Sequence, residues 1–577
     1  MYNKEVLMFK EQYQVWLEKV QDPELSAEIK GLTDDEDIKD RFYKDLEFGT
    51  AGLRGKLGVG TNRMNVYTVG KATQGLAQYL LNHFEKPSLV IAYDSRIKSD
   101  VFAELSASIL AANGVKVYLF ESLRPTPMLS FAVRHLGTDS GIVITASHNP
   151  TIYNGYKVYG SDGGQITDET ATETFNEISK VDAFTGVKHM SFEDGKASGL
   201  IEIIGEDVDK VYYEKVKQLV VRPELVKEKA GELKIIYTPI HGTGNIPIRR
   251  VLSELGFTQV EIVKEQELPD GNFPTAPYPN PEVPQVFELA LKLAETVNPD
   301  IIMGTDPDAD RISAVVKGDD GYQILTGNQM GMLLTEYILS ARKDLGQLQP
   351  TDAIIKTIVT SDLCKHICDG YGVQMMEVLT GFKYIAEIVQ NFQETNSNKF
   401  LLGFEESYGY LSGEFVRDKD AVIAATLIAE MALYYKTQGK TLYDALQDIY
   451  SKYIYTVEDV IAVEMDGASG QEKMKELIDS LRNNPPTQLG NEQISVVEDY
   501  GTSTRRNLET KEEETINLPK SNVIKFKFKD GGWFVVRPSG TEPKIKLYFY
   551  IEGNNKEQAQ ANLAAIKSEV QNKLFAN

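Results

Sequence analysis

Three alternating aspartates, Asp306, Asp308 and Asp310, follow an apolar run at 301–303 that is typical of a buried strand. A bent loop can gather such carboxylates around one hard cation, and a solvated acidic turn is the alternative. A calcium-binding EF-hand loop is disfavoured, because Arg311 stands where that loop needs glycine and Lys317 where it needs glutamate. Mg²⁺ is the expected ion, since its sites use few carboxylates and leave room for phosphate oxygen.

A serine stands at the end of another predicted strand. The sequence T-A-S-H-N-P at 145–150 follows the apolar run at 141–144, so the hydroxyl of Ser147 should be displayed at a strand's carboxyl end. Open α/β sheets bind ligands at that edge. A serine beside an Asn-Pro turn often makes only local hydrogen bonds, so this loop indicates chemistry only in combination with the others.

Two further loops carry groups that suit a sugar phosphate. The C-terminal loop offers a guanidinium, two hydroxyls and a glycine that permits close backbone approach, a set that suits phosphate: Arg537, Ser539, Gly540 and Thr541. Glu405 and Ser407 offer an acceptor and a donor for vicinal sugar hydroxyls. The alternatives are a turn with a salt-bridged arginine and a helix cap.

The elements that must position these loops form a repeated unit. Strand-like and helix-like stretches alternate as β-α-β-α-β three times, starting near residues 88, 235 and 353. Such alternation predicts an α/β fold of three tandem domains with mixed or largely parallel sheets. Alternating strands and a final helix after residue 523 predict a C-terminal α+β domain. We expect domain I at 1–205, domain II at 206–325, domain III at 326–455 and domain IV at 456–577.

Composition narrows the class of protein. The chain has 577 residues and a net charge of -23, which argues against a general surface for nucleic acid or anionic membrane. Its two cysteines form no disulfide framework, and no run reaches the length of a membrane-spanning helix. We therefore expect a cytoplasmic protein.

The polar stretches near 191–198 and 502–514 are predicted to be exposed linkers or loops. An amphipathic N-terminal helix is predicted from apolar residues at Val6, Leu7, Phe9, Tyr13, Trp16, Leu17 and Val20.

The four loops, in this order, resemble those of the α-D-phosphohexomutases. T-A-S-H-N-P is similar to that family's phosphoserine loop, G-T-D-P-D-A-D-R to its metal loop, G-F-E-E-S-Y-G to its sugar-recognition loop and R-P-S-G-T-E-P to its phosphate-binding loop. With F-G-T-A-G-L-R-G at 48–55, the chain most resembles the bacterial phosphoglucomutase branch, which includes phosphopentomutase-like members. The resemblance implies four domains around a central cleft.

The resemblance also implies roles for named residues. Ser147 would carry the phosphoryl group and contribute to the metal site with Asp306, Asp308 and Asp310, and Lys157 would act as general base. His148 and Arg54 would support catalysis, and Arg311, Glu405, Ser407 and Lys419 would bind substrate. One Mg²⁺ per subunit and glucose 1,6-bisphosphate, as intermediate and activator, are the implied cofactors. The implied partners are small sugar phosphates of carbohydrate metabolism, bound by a monomer without nucleic acid or membrane.

The implied reaction is an isomerisation, the interconversion of glucose 1-phosphate and glucose 6-phosphate through a phosphoserine enzyme. Phosphomannomutase or phosphopentomutase activity, and a non-catalytic sugar-phosphate-binding protein of the same fold, are the alternatives. A phosphatase with an aspartate nucleophile in D-x-D is a further alternative, but it would have no use for the serine loop.

We expect glucose 1-phosphate to be used with a higher kcat/KM than mannose 1-phosphate. In the family that the chain resembles, the phosphomannomutase and phosphoglucosamine mutase branches typically carry Ser-Gly-His in the sugar loop. This chain has Ser407-Tyr408-Gly409 at that place. An inverted hydroxyl facing paired polar groups is discriminated strongly. Steady-state assays with both substrates test this, and equal or greater efficiency with mannose 1-phosphate would contradict it.

Overall fold

A computed structural model describes residues 2–49, 52–464, 467–538 and 544–575 of the chain. Elements up to residue 204 are α1 (Tyr2–Lys19), α2 (Pro23–Gly31), α3 (Asp35–Phe42), β1 (Gly52–Lys56), α4 (Val66–His83), β2 (Ser88–Tyr93), α5 (Ser99–Ala112), β3 (Lys116–Phe120), α6 (Thr126–Leu136), β4 (Ser140–Ile144), β5 (Tyr153–Gly160), α7 (Asp168–Ile178), α8 (Phe192–Ala197) and β6 (Ile201–Ile204).

The next two groups of elements end at residue 452. Up to residue 324 these are α9 (Glu206–Lys217), α10 (Pro223–Lys229), β7 (Lys234–Thr238), α11 (Asn245–Glu254), β8 (Gln259–Ile262), α12 (Glu288–Val297), β9 (Ile301–Thr305), β10 (Ile312–Gly318) and β11 (Gly321–Ile324). After them come α13 (Gly327–Asp344), β12 (Asp352–Thr357), α14 (Leu363–Tyr371), β13 (Gln374–Val378), α15 (Phe382–Thr395), β14 (Lys399–Glu405), β15 (Gly409–Leu411), α16 (Ala421–Thr437) and α17 (Leu442–Lys452). Short 3₁₀ turns lie at Ala230–Glu232, Lys264–Gln266 and Pro284–Phe287.

The last part of the chain is rich in strands. It comprises β16 (Tyr455–Glu464), α18 (Gly467–Asn483), β17 (Gln488–Leu489), β18 (Glu492–Asp499), β19 (Thr504–Asn507), β20 (Glu513–Thr515), β21 (Ile524–Phe528), β22 (Trp533–Pro538), β23 (Lys544–Gly553) and α19 (Lys556–Phe575). Among the residues described, no helix is both long and apolar enough to cross a membrane.

The chain divides into two compact units, the first made of Met1–Thr326, Ala386–Phe400 and Ser407–Gly439, and the second of Gly327–Ile385, Leu401–Glu406 and Lys440–Asn577. In the first unit, one sheet has the order β1-β5-β4-β2-β3-β6. Strands β4, β2, β3 and β6 are parallel neighbours, and β5 and β1 extend the sheet in antiparallel pairs. The predicted β-α-β-α-β unit is thus confirmed, with an antiparallel edge whose strands the apolar pattern did not reveal.

The second sheet of this unit repeats the plan. Its order is β11-β10-β9-β7-β8, with β8, β7 and β9 parallel and β10 folding back antiparallel to β9. The aspartate loop is therefore the turn of the β9–β10 hairpin, which pairs Thr305 with Ile312. Helix α12 covers the sheet through Ala290 and Ala294, which are fully or almost fully buried.

In the second unit, the strand order is β13-β12-β14 in one sheet, with β12 and β13 parallel, and β16-β23-β22-β21-β18-β19-β20 in the other. The second of these is antiparallel at its paired strands, and β17 pairs with β18. Helices α18 and α19 contribute Ile478 and Ile566 to its core. The fold class, three mixed-sheet α/β domains followed by a sheet-rich α+β domain, is confirmed.

Two predicted loops contain regular structure. Strands β19 and β20 occupy much of the stretch near 502–514, where Arg505 lies opposite Glu498 on one side and Glu514 on the other. The Arg505 guanidinium contacts both carboxylates, at 2.8 and 3.4 Å. Paired opposite charges rather than alternating apolar residues define these strands, which is why periodicity missed them. Near 191–198, the Ser191 side chain caps the short helix α8 by accepting from the Asp194 amide.

Three N-terminal helices form a small core of their own beside the first sheet. Helices α2 and α3 begin at Asp22 and Asp34, whose carboxylates cap backbone amides. Trp16 on α1 is 3% exposed and packs edge-on against Phe42, Tyr67 and Phe184. The predicted amphipathic helix is confirmed for the described side chains, and those of Val6 and Leu7 lie outside that part of the chain.

We expect Trp16→Ala to loosen the N-terminal helices. Loss of a buried indole costs about 3 kcal/mol, equivalent to about 100-fold in a local opening equilibrium. Hydrogen exchange of residues 9–42, followed by mass spectrometry, measures that change. Val15→Ala is the matched control, because its side chain on the same helix is 38% exposed. Unchanged protection in Trp16→Ala would contradict the packing described here.

Candidate active site

The aspartate loop in the β9–β10 turn gathers three buried carboxylates. One oxygen from each of Asp306, Asp308 and Asp310 lies within 4.8 Å of the other two. The loop is closed by its own backbone: the amides of Asp310 and Arg311 donate to Asp306 Oδ1 at 3.2 and 3.1 Å. Ala309 takes a positive φ of 48° at the apex, which turns the alternating side chains to one side.

Two of these carboxylates each have one oxygen that makes no hydrogen bond to the described residues, and that of Asp310 lies 3.8 Å from Arg311 Nε. Asp308 Oδ2 accepts from Lys157 Nζ at 2.9 Å, and Asp310 Oδ2 lies 3.1 Å from Lys419 Nζ. The Oδ1 atoms of both residues are buried and have no hydrogen-bond partner within the described chain. Unsatisfied buried anionic oxygens are costly unless something binds them. A small oxygen-seeking divalent cation fits this donor set.

Ser147 lies beside the same loop. Its hydroxyl donates to Asp306 Oδ2 at 2.6 Å, and its side chain and that of Asp306 are buried. Ser147 takes a positive φ of 50°, a backbone conformation that is unfavourable for residues other than glycine. Hydrogen bonds with neighbouring residues are needed to stabilise it. The Thr145 hydroxyl supplies one of them by accepting from the Ser147 amide at 2.8 Å. The serine predicted to react therefore faces the predicted metal carboxylates.

Arg96 supports the rest of the serine loop. Its buried guanidinium donates to the carbonyl oxygens of Ser147 at 2.6 Å, Pro150 at 3.1 Å and Tyr153 at 3.0 Å, and also to that of Asn149. Asp94, which follows strand β2, balances the charge, with 3.6 Å between its Oδ2 and Arg96 Nε. One side chain thus binds the carbonyl groups of four residues between positions 147 and 153.

Strand register places Lys157 beside the serine loop. Strand β5 pairs Lys157 with Val143 of β4 and Gly155 with Arg54 of β1. Gly155 must be glycine, because a Cβ there would lie 2.4 Å from the carbonyl oxygen of Thr145. From this strand Lys157 Nζ reaches Asp308, and it lies 3.5 Å from Asp310 Oδ2.

Lys419 reaches Asp310 from another direction. Its Nζ lies 3.1 Å from both Asp310 Oδ2 and Asp418 Oδ1. Asp418 Oδ2 in turn accepts from the Tyr159 hydroxyl at 2.7 Å and from Gln165 at 3.1 Å. The acidic loop is thus connected to a chain of alternating charges and polar groups.

The charges around the cluster shift its pKa values in opposite directions. Burial, reinforced by Asp308 and Asp310, raises the pKa of Asp306 well above its usual value. Burial also opposes ionisation of Asp310, but Lys419, Lys157 and Arg311 outweigh it and lower that pKa. Burial lowers the pKa of Lys157, yet Asp308 and Asp310 raise it more, so the net shift is upward. Lys157 is therefore held as an ammonium ion, not as the neutral amine that a resting base would need.

The remaining predicted residues of the first unit surround this cluster. Arg311 Nη1 donates to Glu282 at 2.8 Å, and Arg54 Nη1 donates to Asn149 Oδ1 at 3.1 Å. His148 Nδ1 lies 3.2 Å from Ser147 Oγ. Ser407 is half-buried in the turn between β14 and β15.

Other predicted residues belong to the second unit or lie outside the described chain. Glu405 ends strand β14 and accepts from the Gly381 amide at 3.0 Å. Arg537, on strand β22, lies 3.4 Å from the Tyr548 hydroxyl. Ser539, Gly540 and Thr541 lie outside the described residues, so the predicted phosphate loop is seen only at its two flanking strands. The roles predicted for Glu405 and Arg537 stay predictions.

Sequence reasoning missed Asp94, Arg96, Thr145 and Asp418. The first two did leave a signal, since D-S-R directly follows the predicted strand at 88–93 and so stands at the sheet edge where Ser147 stands. Asp418 adjoins Lys419 in the sequence, but nothing in the sequence joins it to Tyr159, which lies on strand β5. Such a contact depends on tertiary packing alone.

Comparison with known proteins identifies the family. Residues 45–184, 210–321 and 326–453 match alpha/beta/alpha domains I, II and III of phosphoglucomutase/phosphomannomutase, and residues 493–568 match its C-terminal domain. A phosphoglucomutase of Staphylococcus saprophyticus is 36% identical over 94% of this chain and 96% of its own length. The chain belongs to this family. A phosphoglucomutase of Staphylococcus haemolyticus is 38% identical over 90% of this chain and 93% of its own length.

Solved structures of the family share the fold. A putative phosphomannomutase from Thermus thermophilus has a TM-score of 0.68 at 21% identity, covering 92% of this chain and 99% of its own. Parafusin, a phosphoglucomutase from Paramecium, also has a TM-score of 0.68, at 17% identity over 93% of this chain and 96% of its own. The predicted membership of the α-D-phosphohexomutases, in the bacterial phosphoglucomutase branch, is confirmed.

We expect the His148 imidazole to stay neutral between about pH 6 and about pH 8. Burial, with Arg311 and Arg54 nearby, lowers its pKa well below the usual value. His366 is a matched control, because Glu552 at 3.2 Å raises its pKa above the usual value. Nitrogen chemical shifts of labelled histidines, assigned with His148→Gln, measure both rings. Titration of His148 within that range would contradict the geometry described.

Proposed function

We propose that this chain is a phosphoglucomutase, an isomerase that interconverts glucose 1-phosphate and glucose 6-phosphate. The observation that supports it most is the hydrogen bond between the Ser147 hydroxyl and Asp306, at 2.6 Å, in a loop with two further buried carboxylates. The staphylococcal phosphoglucomutases are 36–38% identical over most of the chain. We place the enzyme in the cytoplasm as a monomer with four domains, at 1–205, 206–325, 326–455 and 456–577.

In the proposed cycle, Ser147 begins as a phosphomonoester. The 6-hydroxyl of glucose 1-phosphate attacks phosphorus, the bond to Ser147 Oγ breaks, and glucose 1,6-bisphosphate forms. After the bisphosphate turns, Ser147 Oγ attacks the phosphorus at position 1, and glucose 6-phosphate leaves. No phosphate is gained or lost, so bound glucose 1,6-bisphosphate is the intermediate and added bisphosphate is an activator.

One Mg²⁺ per subunit would be held by Asp306, Asp308, Asp310 and the oxygen on Ser147. Bound there, it supplies positive charge that offsets the charge of the transferring phosphoryl group. Asp308 Oδ1 and Asp310 Oδ1, the two buried carboxylate oxygens of this loop that accept no hydrogen bond from the described residues, support this assignment. Arg311 and Lys419 would add further positive charge toward the substrate phosphate.

Lys157 would take the proton of the attacking sugar hydroxyl. Asp308 and Asp310 stabilise its ammonium form, which is the state that follows proton transfer. The same carboxylates mean that the resting side chain holds a proton, which has to leave before Lys157 can accept another. His148 and Arg54 would support the reacting oxygen atoms from the serine loop and strand β1.

Recognition of the sugar and of the second phosphate is assigned to the predicted loops. Glu405 and Ser407 would bind vicinal hydroxyls of glucose, and Arg537 with Ser539, Gly540 and Thr541 would bind the phosphate that is not being transferred. Mannose or pentose phosphates as substrates, and binding without turnover, are the alternatives. An aspartyl phosphatase is disfavoured, because it would have no use for the Ser147 hydroxyl that donates to Asp306 Oδ2.

The chemistry of the labelled protein distinguishes these functions. After incubation with labelled glucose 1,6-bisphosphate, we expect a phosphoserine that survives acid and is lost in alkali. Ser147→Ala should lose label and convert glucose 1-phosphate at least about 1000-fold more slowly, since the nucleophile is removed.

Ser108→Ala is the matched control, because this exposed hydroxyl donates only to the Glu104 carbonyl of its own helix. It should keep full label and activity. Hydroxylamine-labile label, or label that persists on Ser147→Ala, would overturn the phosphoserine mechanism. Label without turnover of any sugar phosphate would favour a binding protein.

A further inference from the structure

One threonine outside the aspartate loop contacts the Asp308 side chain. Thr126 begins helix α6 between Pro125 and Pro127, and it is fully buried. Its amide donates to the Asp308 carbonyl oxygen at 2.9 Å, and its hydroxyl donates to Asp308 Oδ2 at 2.8 Å. Thr126, on a helix beside the first sheet, therefore holds both the backbone and the carboxylate of Asp308 in the β9–β10 hairpin of the second sheet.

The two donors on Asp308 Oδ2 decide which oxygen stays free. Oδ2 accepts from Thr126 Oγ1 and from Lys157 Nζ, while Oδ1 has no hydrogen-bond partner in the described structure. A carboxylate held by one flexible lysine can rotate about its terminal torsion, which is broad in energy. The short Thr126 side chain removes that freedom, because its own amide is anchored to the same residue.

A second threonine, Thr243, donates its hydrogen bonds to the backbone of the same loop. Thr243 also holds the loop, but both its amide and its hydroxyl donate to the Pro307 carbonyl, at 2.8 and 2.9 Å. Gly242 beside it must lack a side chain, since a Cβ would lie 2.5 Å from Pro307 Cα. Thr243 thus fixes the path of the backbone, whereas the Thr126 hydroxyl acts on a carboxylate.

We propose that Thr126 is a positioning residue that presents Asp308 Oδ1 to a divalent cation. The inference rests on the proposed function in one respect, namely that the aspartate loop binds the cation. Side chains that orient metal ligands typically contribute about 10- to 100-fold to metal affinity. Thr126→Val removes the hydroxyl but keeps the shape and the amide, and Thr126→Ser keeps the hydroxyl.

Cation binding is measured directly, with Mn²⁺ as the probe and electron paramagnetic resonance of the free ion as the signal. The full-length protein with Ser147 intact serves as the parent, after dephosphorylation that is checked by mass spectrometry, because it keeps the Ser147 oxygen in the proposed metal site and excludes differences in phosphorylation. We expect Thr126→Val to weaken Mn²⁺ binding about 10-fold and Thr126→Ser to stay within about 2-fold of the parent.

Turnover supplies a second measurement. Thr126→Val should need about 10-fold more Mg²⁺ for half-maximal activity. At saturating Mg²⁺ its kcat, and its KM for glucose 1-phosphate, should return to within about 2-fold of the unsubstituted protein. A merely structural defect would not be corrected by added cation.

Thr426→Val is the matched control, because this buried hydroxyl donates only to the Val422 carbonyl one turn earlier in helix α16. It should bind Mn²⁺ like the parent. Equal Mn²⁺ affinity in Thr126→Val and the parent would overturn the role of Thr126 while leaving the proposed function intact. A parent that binds no Mn²⁺ would overturn both. If Thr126→Val does not fold, Thr126→Ala against Thr126→Ser makes the same comparison.

Discussion

The burial of three carboxylates within 4.8 Å of one another is the constraint on which the rest of this site depends. Removing one ionised carboxylate from water is unfavourable, and placing three together adds their mutual repulsion. Lys157 and Lys419 offset part of this by contacting Asp308 and Asp310. Asp308 Oδ1 and Asp310 Oδ1 remain without a hydrogen bond from any described residue, and Arg311 Nε lies 3.8 Å from the latter. The cluster is therefore a site that favours binding of positive charge, whichever reaction the chain performs.

Holding these charges in place requires residues from several parts of the first unit. Lys157 comes from the antiparallel strand β5, Lys419 from the segment before α16, and the carboxylates from the β9–β10 hairpin. The Ser147 loop, held by Arg96, adds the hydroxyl that is proposed to react. Because loops at the ends of strands are positioned by rigid sheets, polar residues far apart in sequence can meet with little freedom. Misplacing any one element would leave a buried charge without a partner.

The sequence allowed the type and order of the elements to be predicted, and also the aspartates and the serine that lie together in the buried cluster. Strand β9 was visible as an apolar run, and the alternation of Asp306, Asp308 and Asp310 identified its loop. Strand β5 was not visible, because Gly155 and several tyrosines break the apolar pattern of a buried strand. One partner of the carboxylates, Thr126, was hidden for another reason. The contact of Thr126 with Asp308 spans 182 residues, and only the folded sheets bring the two together.

The groups proposed to react lie in the first unit of the chain, whereas two of the groups predicted to recognise the substrate lie in the second. Ser147, Asp308 and Lys157 form their hydrogen bonds with residues of the first unit. Glu405 and Arg537 belong to strands of the second unit. Phosphoryl transfer depends on positioning and charge, which are the same for any sugar phosphate. Choice among sugars depends on which hydroxyls find a partner. If Glu405 binds a sugar hydroxyl as proposed, substitutions near it change the preferred sugar while the buried charge cluster is preserved.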